Sequence, residues 1–431
     1  MMVNNQFKGL LIFLVLLVFQ YRTSAQNDLD SPYTAFGLGY LSNINSIKNI
    51  SMGSLGIGTR EYNAINIANP ASYTAFDTAS FLFEGGVAGS FTQLKTENLS
   101  ESFTSASISQ LTFGFPINSW WKNSLGLLPF SKVGYNVNAE PFQNDFGSIA
   151  HNYQGEGGLS RVYWGNAFQP FKFLSIGINA SYLFGDINRI QKVSFPDSIY
   201  YVNTRIDNSI TYGDFFFEAG VQYFTNFKND IKFVAGLTYR PQIEIKAEKD
   251  FLVRSSLGET SNVEFFRDTI DHTTSKGEVL LPAGYGAGIS MHKPNHWFVG
   301  LDYKAEQWEK YKNFGENDSL VNSSSLSVGG YFIPDYTSNS YLKRIEYRLG
   351  GRYYNSYLEL KDNQLSGFGI TFGFGLPLRS IALKGSKSMI NLGAEIGRRG
   401  TIENGLIQES YTNLYLGVSI YEFWFFKRRY K

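Results

Sequence analysis

Apolar and polar residues alternate along much of the chain after residue 78. Within Leu174–Asp186, one set of alternate positions is apolar from Leu174 to Phe184, and the other set begins with serine, glycine, asparagine and serine. Successive side chains of a β-strand point to opposite faces, so this stretch has one apolar face and one small, polar face. The same pattern recurs in Phe215–Phe224, Trp297–Glu306 and Phe368–Leu376. It predicts an all-β protein.

The length of these segments and the links between them favour a membrane barrel. Most segments exceed the usual strand of about five or six residues, and several apolar faces end in aromatic residues, as at a membrane interface. Tight turns such as Asn118–Trp121 and Gln169–Lys172 alternate with long polar links, namely 139–156, 187–209 and 248–276. Bacterial outer-membrane barrels have short periplasmic turns and long extracellular loops. A soluble β-sandwich also alternates, but it does not account for the segment lengths.

A sheet that crosses a bilayer must close, because the hydrocarbon offers no partner for free backbone groups. We therefore predict that residues 79–431 form a single transmembrane antiparallel β-barrel of about fourteen strands in the outer membrane of a Gram-negative cell. An even number of strands would leave the C-terminus in the periplasm and the long loops outside the cell.

The first 25 residues resemble a secretory signal peptide. Lys8 precedes an apolar run at 9–19, and the small residues Thr23–Ala25 follow. The run is too short to span a membrane, so cleavage after Ala25 is favoured over an uncleaved anchor. The chain has no cysteine, which excludes disulfides, a lipid-modified cysteine and a cysteine nucleophile. A net charge of +1 argues against a nucleic-acid partner.

Residues 26–78 are apolar, aromatic and rich in glycine, yet they lack strand periodicity. A barrel of fourteen strands is wider than its inward side chains can fill, so we predict that this segment, called the hatch below, plugs the lumen. A disordered tail is the alternative, but such tails are seldom this apolar. The residues expected to shape the hatch are Phe36, Gly37, Gly39, Gly53, Gly56, Gly58, Asn69 and Pro70.

Several short motifs make the chain resemble one family. The sequence MGSLGIG at Met52–Gly58, NPA at Asn69–Ala71 and LPAGYGAGIS at Leu281–Ser290 are similar to those of the FadL/TodX (OmpP1) outer-membrane transporters. The stretches Ser31–Gly39 and Tyr415–Lys431 resemble the Bacteroidetes-type branch. The resemblance implies uptake of hydrophobic, fatty-acid-like molecules by hatch movement and lateral release into outer-membrane lipid.

The resemblance also implies a kinked third strand with a lateral opening. Pro129 lies within the third segment and cannot donate a ladder hydrogen bond, and Gly134 follows five residues later. We predict the opening at these two residues. The alternative is a proline tolerated at a β-bulge.

Charged residues of the inward set have mixed signs, which predicts salt bridges in the lumen that hold the hatch. Charge facing lipid would cost about 2–4 kcal/mol at the bilayer midplane. An alternative function for Arg348 or Arg352 is to bind a carboxylate. The predicted lumen charges are Glu84, Glu218, Asp302, Lys304, Glu306, Glu346, Arg348, Arg352 and Glu395.

No catalytic motif, cofactor motif or metal-ligand spacing is found, so the chain is predicted not to be an enzyme and to hold no cofactor. The histidines His151, His272, His292 and His296 fall in presumed loops. The predicted function is a FadL-like channel for uptake of hydrophobic small molecules. The alternative is a non-transport subunit or carrier in a larger outer-membrane assembly for secretion or barrel insertion. A channel should contain a continuous apolar cavity, whereas a subunit should have a sealed lumen and a large exposed apolar patch.

Overall fold

The computed structural model describes residues 31–143, 147–197, 201–260, 263–378 and 387–423. The predicted signal peptide and the last eight residues lie outside the described residues. No helix in the described ranges is long and apolar enough to cross a membrane.

Fourteen antiparallel strands close into one barrel, in which the last strand pairs with the first along its whole length. The predicted fold class is therefore confirmed. Strands seven and eight are each divided, near Pro241 and near Pro282. The strands are β1 Ser80–Lys95, β2 Ser100–Pro116, β3 Trp121–Ala139, β4 Ala150–Phe171, β5 Leu174–Ser194, β6 Asn203–Asn226, β7 Lys232–Arg240 with Ile243–Thr260, β8 Val263–Leu281 with Gly284–Lys293, β9 Trp297–Glu306, β10 Ser323–Phe332, β11 Glu346–Leu360, β12 Asn363–Pro377, β13 Met389–Arg399 and β14 Gln408–Phe423.

The outer face of the barrel is apolar and the inner face is small or polar. On β12, Phe368, Ile370, Phe372 and Phe374 are exposed on the outside, while Thr371 is fully buried on the inside. Alternate positions of each strand thus meet two different environments. The period of two in the sequence arises from this difference.

The two rims of the barrel differ. The turn rim carries tight connections such as 117–120 and 172–173, and the loop rim is the opposite end. At the loop rim the polar stretches 139–156, 187–209 and 248–276, expected to be loops, are largely strand. They pair with one another as extensions of the barrel strands. Where both faces of a strand lack an apolar environment, the alternation disappears and the sequence resembles a loop.

The same correction applies to the histidines. His151 lies in β4, and His272 and His292 lie in β8, so only His296 occupies a turn. His292 is buried and packs near the ring of Phe298.

The described part of the hatch, residues 31–78, lies within the barrel. It contains three short helical turns, Pro32–Ala35, Ile47–Ile50 and Pro70–Ala75, and a two-residue strand, Tyr40–Leu41. Each helical turn begins after a residue whose side chain accepts a hydrogen bond from the backbone, as an N-cap does. The remaining backbone is irregular. Some of its polar groups bond to the barrel wall, such as the carbonyl of Gly58, which accepts from Ser290, and others bond within the hatch.

Two apolar clusters lie at the two ends of the lumen. The cluster near the loop rim, called the loop-rim cluster, joins hatch residues Tyr33 and Leu38 to Phe130, Trp308 and Tyr357 among others. A smaller cluster near the turn rim contains the hatch residues Ile65, Tyr73 and Phe76. Among the predicted lumen charges, Glu218, Asp302, Lys304, Glu306 and Arg352 line one cavity of the lumen.

Candidate functional site

The hatch packs directly onto inward-facing glycines of the barrel wall. A Cβ atom added at Gly177 would lie 2.5 Å from the backbone of Pro70, and one at Gly350 would overlap the backbone of Met52 and Gly53. These glycines let two backbones approach more closely than any side chain would permit.

Asp302 on β9 is the main polar contact of the central hatch. Its carboxylate accepts hydrogen bonds from the backbone nitrogens of Gly56, Ile57 and Gly58 at 2.6, 2.8 and 3.2 Å. The side chain is buried, so these donors and the charge satisfy one another in a region of low dielectric. The sequence motif SLGIG therefore forms a turn around a single wall carboxylate.

A second contact is a buried network of four charges. Lys48 of the hatch lies 3.2 Å from Glu346 of β11 and also pairs with Glu61 of the hatch. Arg348 donates to Glu346 at 2.8 Å. Lys48 and Glu61 were not among the residues predicted from the sequence, because the hatch has no period that identifies buried charges.

The N-terminal part of the hatch is held by Glu409 of β14, which sequence reasoning also missed. The hydroxyl of Tyr40 donates to Glu409 at 2.7 Å, and Ser31 and Arg399 also bond to this carboxylate. The hydroxyl of Tyr33 donates to the carbonyl of Ile407 at 2.6 Å. These contacts fix the first described residues of the chain to the loop-rim half of the wall.

The predicted hatch residues contact different parts of the wall. The carbonyl of Gly37 accepts from Arg189 at 2.7 Å, and the nitrogen of Gly53 donates to Thr371 at 2.7 Å. Gly39 has a φ of +81° and approaches the backbone of β3, which excludes a side chain. Among the other predicted hatch residues, Asn69 caps the helical turn that begins at Pro70, and Phe36 is partly exposed.

The other predicted lumen charges pair mainly with the wall itself. Glu84 is the exception, because it accepts from the backbone of hatch residue Ile65 at 3.0 Å. Among the described residues, Lys304 has no ion-pair partner within 4.0 Å. The wall pairs are Glu218 with Arg161 at 2.7 Å, Glu306 with Arg240 at 2.8 Å, and Glu395 with Arg352 at 2.7 Å.

The ladder between β2 and β3 covers only the turn-rim part of these strands. It runs from Pro116 opposite Lys122 to Leu111 opposite Leu127. Residues 100–110 of β2 have no partner on β3 among the described residues. Pro129 follows the last pair of this ladder and lies at a register shift on the opposite side, toward β4.

Beyond Pro129, β3 pairs with the hatch instead of β2. Tyr40 and Leu41 pair with Lys132 and Ser131, and the backbone carbonyl of Gly134 accepts from the nitrogen of Ser31 at 2.9 Å. The hatch thus occupies the edge of β3 that β2 leaves free. The two residues predicted for a lateral opening therefore lie where the third strand separates from the second and meets the hatch.

A cavity of about 470 Å³ lies between the hatch and the middle of the wall. Its lining includes the hatch segment 40–45 and many hydroxyl groups of β10 and β11. Arg161 lines it with two guanidinium nitrogens that have no hydrogen-bond partner in the described structure. The lining is therefore mixed. It includes the charged side chains of Glu218, Lys304, Glu306, Arg352 and Arg399 together with apolar and aromatic side chains such as Leu41, Phe130, Leu358 and Leu365.

Comparisons with known proteins agree with this architecture. A family model described as BamG matches residues 6–431. Among solved structures, a Pseudomonas aeruginosa FadL homologue is 11% identical, has a TM-score of 0.59, and the match covers 88% of this chain and 98% of that one. The Pseudomonas putida toluene transporter TodX is 15% identical with a TM-score of 0.57, and the match covers 88% of this chain and 98% of that one. The Ralstonia pickettii toluene transporter TbuX is 12% identical at 0.55, covering 87% and 97%.

No curated protein matches the chain significantly. At these identities the structural matches establish the fold, so the FadL-type barrel expected from the resemblance is confirmed. The structures named above are transporters or a FadL homologue and none is described as an enzyme, which agrees with the prediction of a non-enzymatic protein. The Bacteroidetes-type branch stays a prediction.

Proposed function

The chain belongs to the BamG family, and we propose that it acts as a non-transport subunit of a larger outer-membrane assembly for secretion or barrel insertion. This proposal rests on the observation that a hatch occupies the lumen and is bonded to the wall through buried charges. We infer that residues 1–25 direct export, that 26–78 form the hatch and 79–431 the barrel, and that the loop rim faces the outside of the cell with the C-terminus in the periplasm.

Moving the hatch would be energetically costly. Separating Lys48 from Glu346 would break the ion pair that joins the hatch to β11, although Lys48 would keep Glu61 and Glu346 would keep Arg348. Withdrawing Gly56–Gly58 from Asp302 would leave three buried backbone donors unsatisfied, at about 1–3 kcal/mol each. A barrel built for frequent hatch movement would be expected to have weaker contacts. The contacts support a hatch that stays in position.

The lining of the central cavity is not wholly apolar. Beside its aromatic and aliphatic residues it contains Arg161, Lys304, Arg352 and serine hydroxyls, and polar groups that an apolar ligand covers lose their hydration. Members of the loop-rim cluster, among them Tyr33, Phe130 and Leu358, line the same cavity. The charged groups of the lining give an apolar ligand a less favourable environment than a wholly apolar channel would, which supports the subunit proposal.

A disulfide lock tests the proposal. A Cβ atom at Gly393 would lie 2.5 Å from the hydroxyl oxygen of Ser51, so the pair Ser51→Cys/Gly393→Cys can form a disulfide between hatch and wall. The chain has no other cysteine. We expect the oxidised variant to stay in its assembly, isolated in mild detergent, and to support the wild-type level of outer-membrane proteins. The reduced variant and Gly393→Cys alone are the controls.

The second candidate function is uptake of hydrophobic small molecules with lateral release into lipid. It is supported by the separation of β2 from β3 at Leu111 and Leu127, next to Pro129, and by the fold shared with toluene transporters. This function requires hatch movement, so oxidation of the Ser51→Cys/Gly393→Cys variant would abolish uptake and reduction would restore it. Purified chain without partner proteins but with a stoichiometric bound hydrophobic compound would overturn the subunit proposal.

A further inference from the structure

The hairpin of β7 and β8 extends beyond the strands on one side of it. On the β6 side, β7 is paired as far as Ser256 with Asn203. On the other side, β9 ends at Glu306, opposite Gly284 of β8. Above that level only Lys312 and Asn313 pair with β8, at its residues 280 and 279. In the part of the chain that the structure describes, the edge of β8 from residue 277 back toward the tip of the hairpin therefore has no strand beside it.

The direction of the backbone groups along this edge follows from one hydrogen bond. The nitrogen of Phe314 donates to the carbonyl of Glu278 at 3.1 Å, so the backbone groups of Glu278 point away from β7. In an antiparallel ladder each residue directs both groups to one side, and the side alternates. Lys276, Thr274 and His272 therefore also direct their N–H and C=O groups away from β7. This alternation continues along β8 as far as Asp271, beyond which the register shifts.

The intervening residues face the hairpin partner. Ser275 pairs with Lys249 and Thr273 pairs with Phe251, so their backbone groups belong to the ladder with β7. The edge thus presents a regular row of free donors and acceptors with the spacing of a strand. Such a row is complementary to one kind of partner, an extended polypeptide backbone.

The hairpin is held in its extended form by contacts between strands. Asp250 of β7 accepts from the hydroxyl of Thr274 at 3.0 Å and lies 2.9 Å from Nε2 of His272. Arg254 donates to Asp207 of β6 at 2.7 Å, and its guanidinium lies 3.9 Å from the ring of Phe266. A strand that is already straight loses little conformational entropy when a partner binds.

Exposed apolar side chains accompany the free backbone groups. Every residue from Phe265 to Lys276 is exposed, and the accessible fractions of Phe265 and Ile270 are 57% and 62%. A long, exposed edge that carries apolar side chains and no proline is a site where another chain can pair. Two of the devices that normally block such pairing, a short edge and a proline, are absent here.

We propose that an extended segment of another outer-membrane or cell-surface protein adds to the edge of β8 as a further strand. This segment would pair with His272, Thr274 and Lys276 through its backbone, and its apolar side chains would cover Phe265 and Ile270. The inference rests on the proposed role as an assembly subunit and specifies one surface through which the chain joins the assembly.

Hydrogen–deuterium exchange on the assembly in mild detergent tests the pairing directly. In the isolated chain the amides of Thr274 and Lys276 should exchange freely, while those of Thr273 and Ser275 are protected by the ladder with β7. In the assembly the two outward amides should slow at least tenfold, and the two inward amides should keep their protection.

A pair of variants at Lys276 separates the backbone from the side chain. Lys276→Pro removes one outward N–H and leaves the ladder with β7 in place, whereas Lys276→Ala removes the exposed side chain alone. We expect the proline variant to lose protection of the edge in the assembly and the alanine variant to keep it. Resistance of the barrel to unfolding on an unheated gel checks that both variants fold.

The outcomes distinguish this inference from the function on which it rests. An intact assembly in which Thr274 and Lys276 exchange as fast as in the isolated chain would overturn the edge pairing and leave the subunit role standing. A chain that is monomeric in native membranes would overturn both. Protection that appears in a particle with the mass of two copies would assign the edge to self-association and contradict pairing with another protein.

Discussion

Replacing Asp302 with asparagine is expected to loosen the hatch at Gly56–Gly58. The carboxylate accepts three backbone hydrogen bonds in a buried position. An amide can keep its oxygen toward Gly56 and Ile57, but its NH₂ group then faces the N–H of Gly58. Weakening two charge-assisted bonds and losing the third should cost about 3 kcal/mol.

The effect is measurable by hydrogen exchange in the folded barrel. If exchange reports the local opening equilibrium, a loss of about 3 kcal/mol corresponds to about a hundredfold faster exchange of the Ile57 amide. Glu306→Gln is the matched control, since Glu306 lies on the same strand and bonds to the wall residues Arg240 and Trp308. Unchanged exchange at Ile57 in a folded Asp302→Asn variant would refute the role given to this carboxylate.

Two further substitutions test the packing and the charge network. Gly350→Ala should destabilise the hatch by several kcal/mol because its Cβ atom would overlap the hatch backbone, whereas Gly351→Ala should be tolerated with a nearest contact of 3.6 Å; protease digestion of the hatch measures the difference. Lys48→Met should cost about 3–5 kcal/mol by leaving Glu61 buried without its cation, while Glu346 keeps Arg348. A urea titration of the folded barrel would detect this loss. Adding Glu61→Gln should recover part of that loss, and no recovery would contradict the network.

The sequence by itself determined the barrel. Each barrel strand has an apolar outer face and a small or polar inner face. Neighbouring residues therefore alternate between the two kinds, as in Leu174–Asp186. A local pattern is enough to detect it. The apolar character of 26–78 likewise indicated a segment that must be buried away from water.

The tertiary structure decided which residues meet inside. Lys48 and Glu346 are 298 positions apart, and Ser31 meets Glu409 across 378 positions. Such pairs exist only after the barrel closes around the hatch, and the irregular hatch backbone has no period from which they could be read. The free edge of β8 could not be predicted from the sequence for a related reason. Both faces of β8 are exposed there, so its residues do not alternate between apolar and polar. The edge lacks a neighbour only because β9 ends before reaching it.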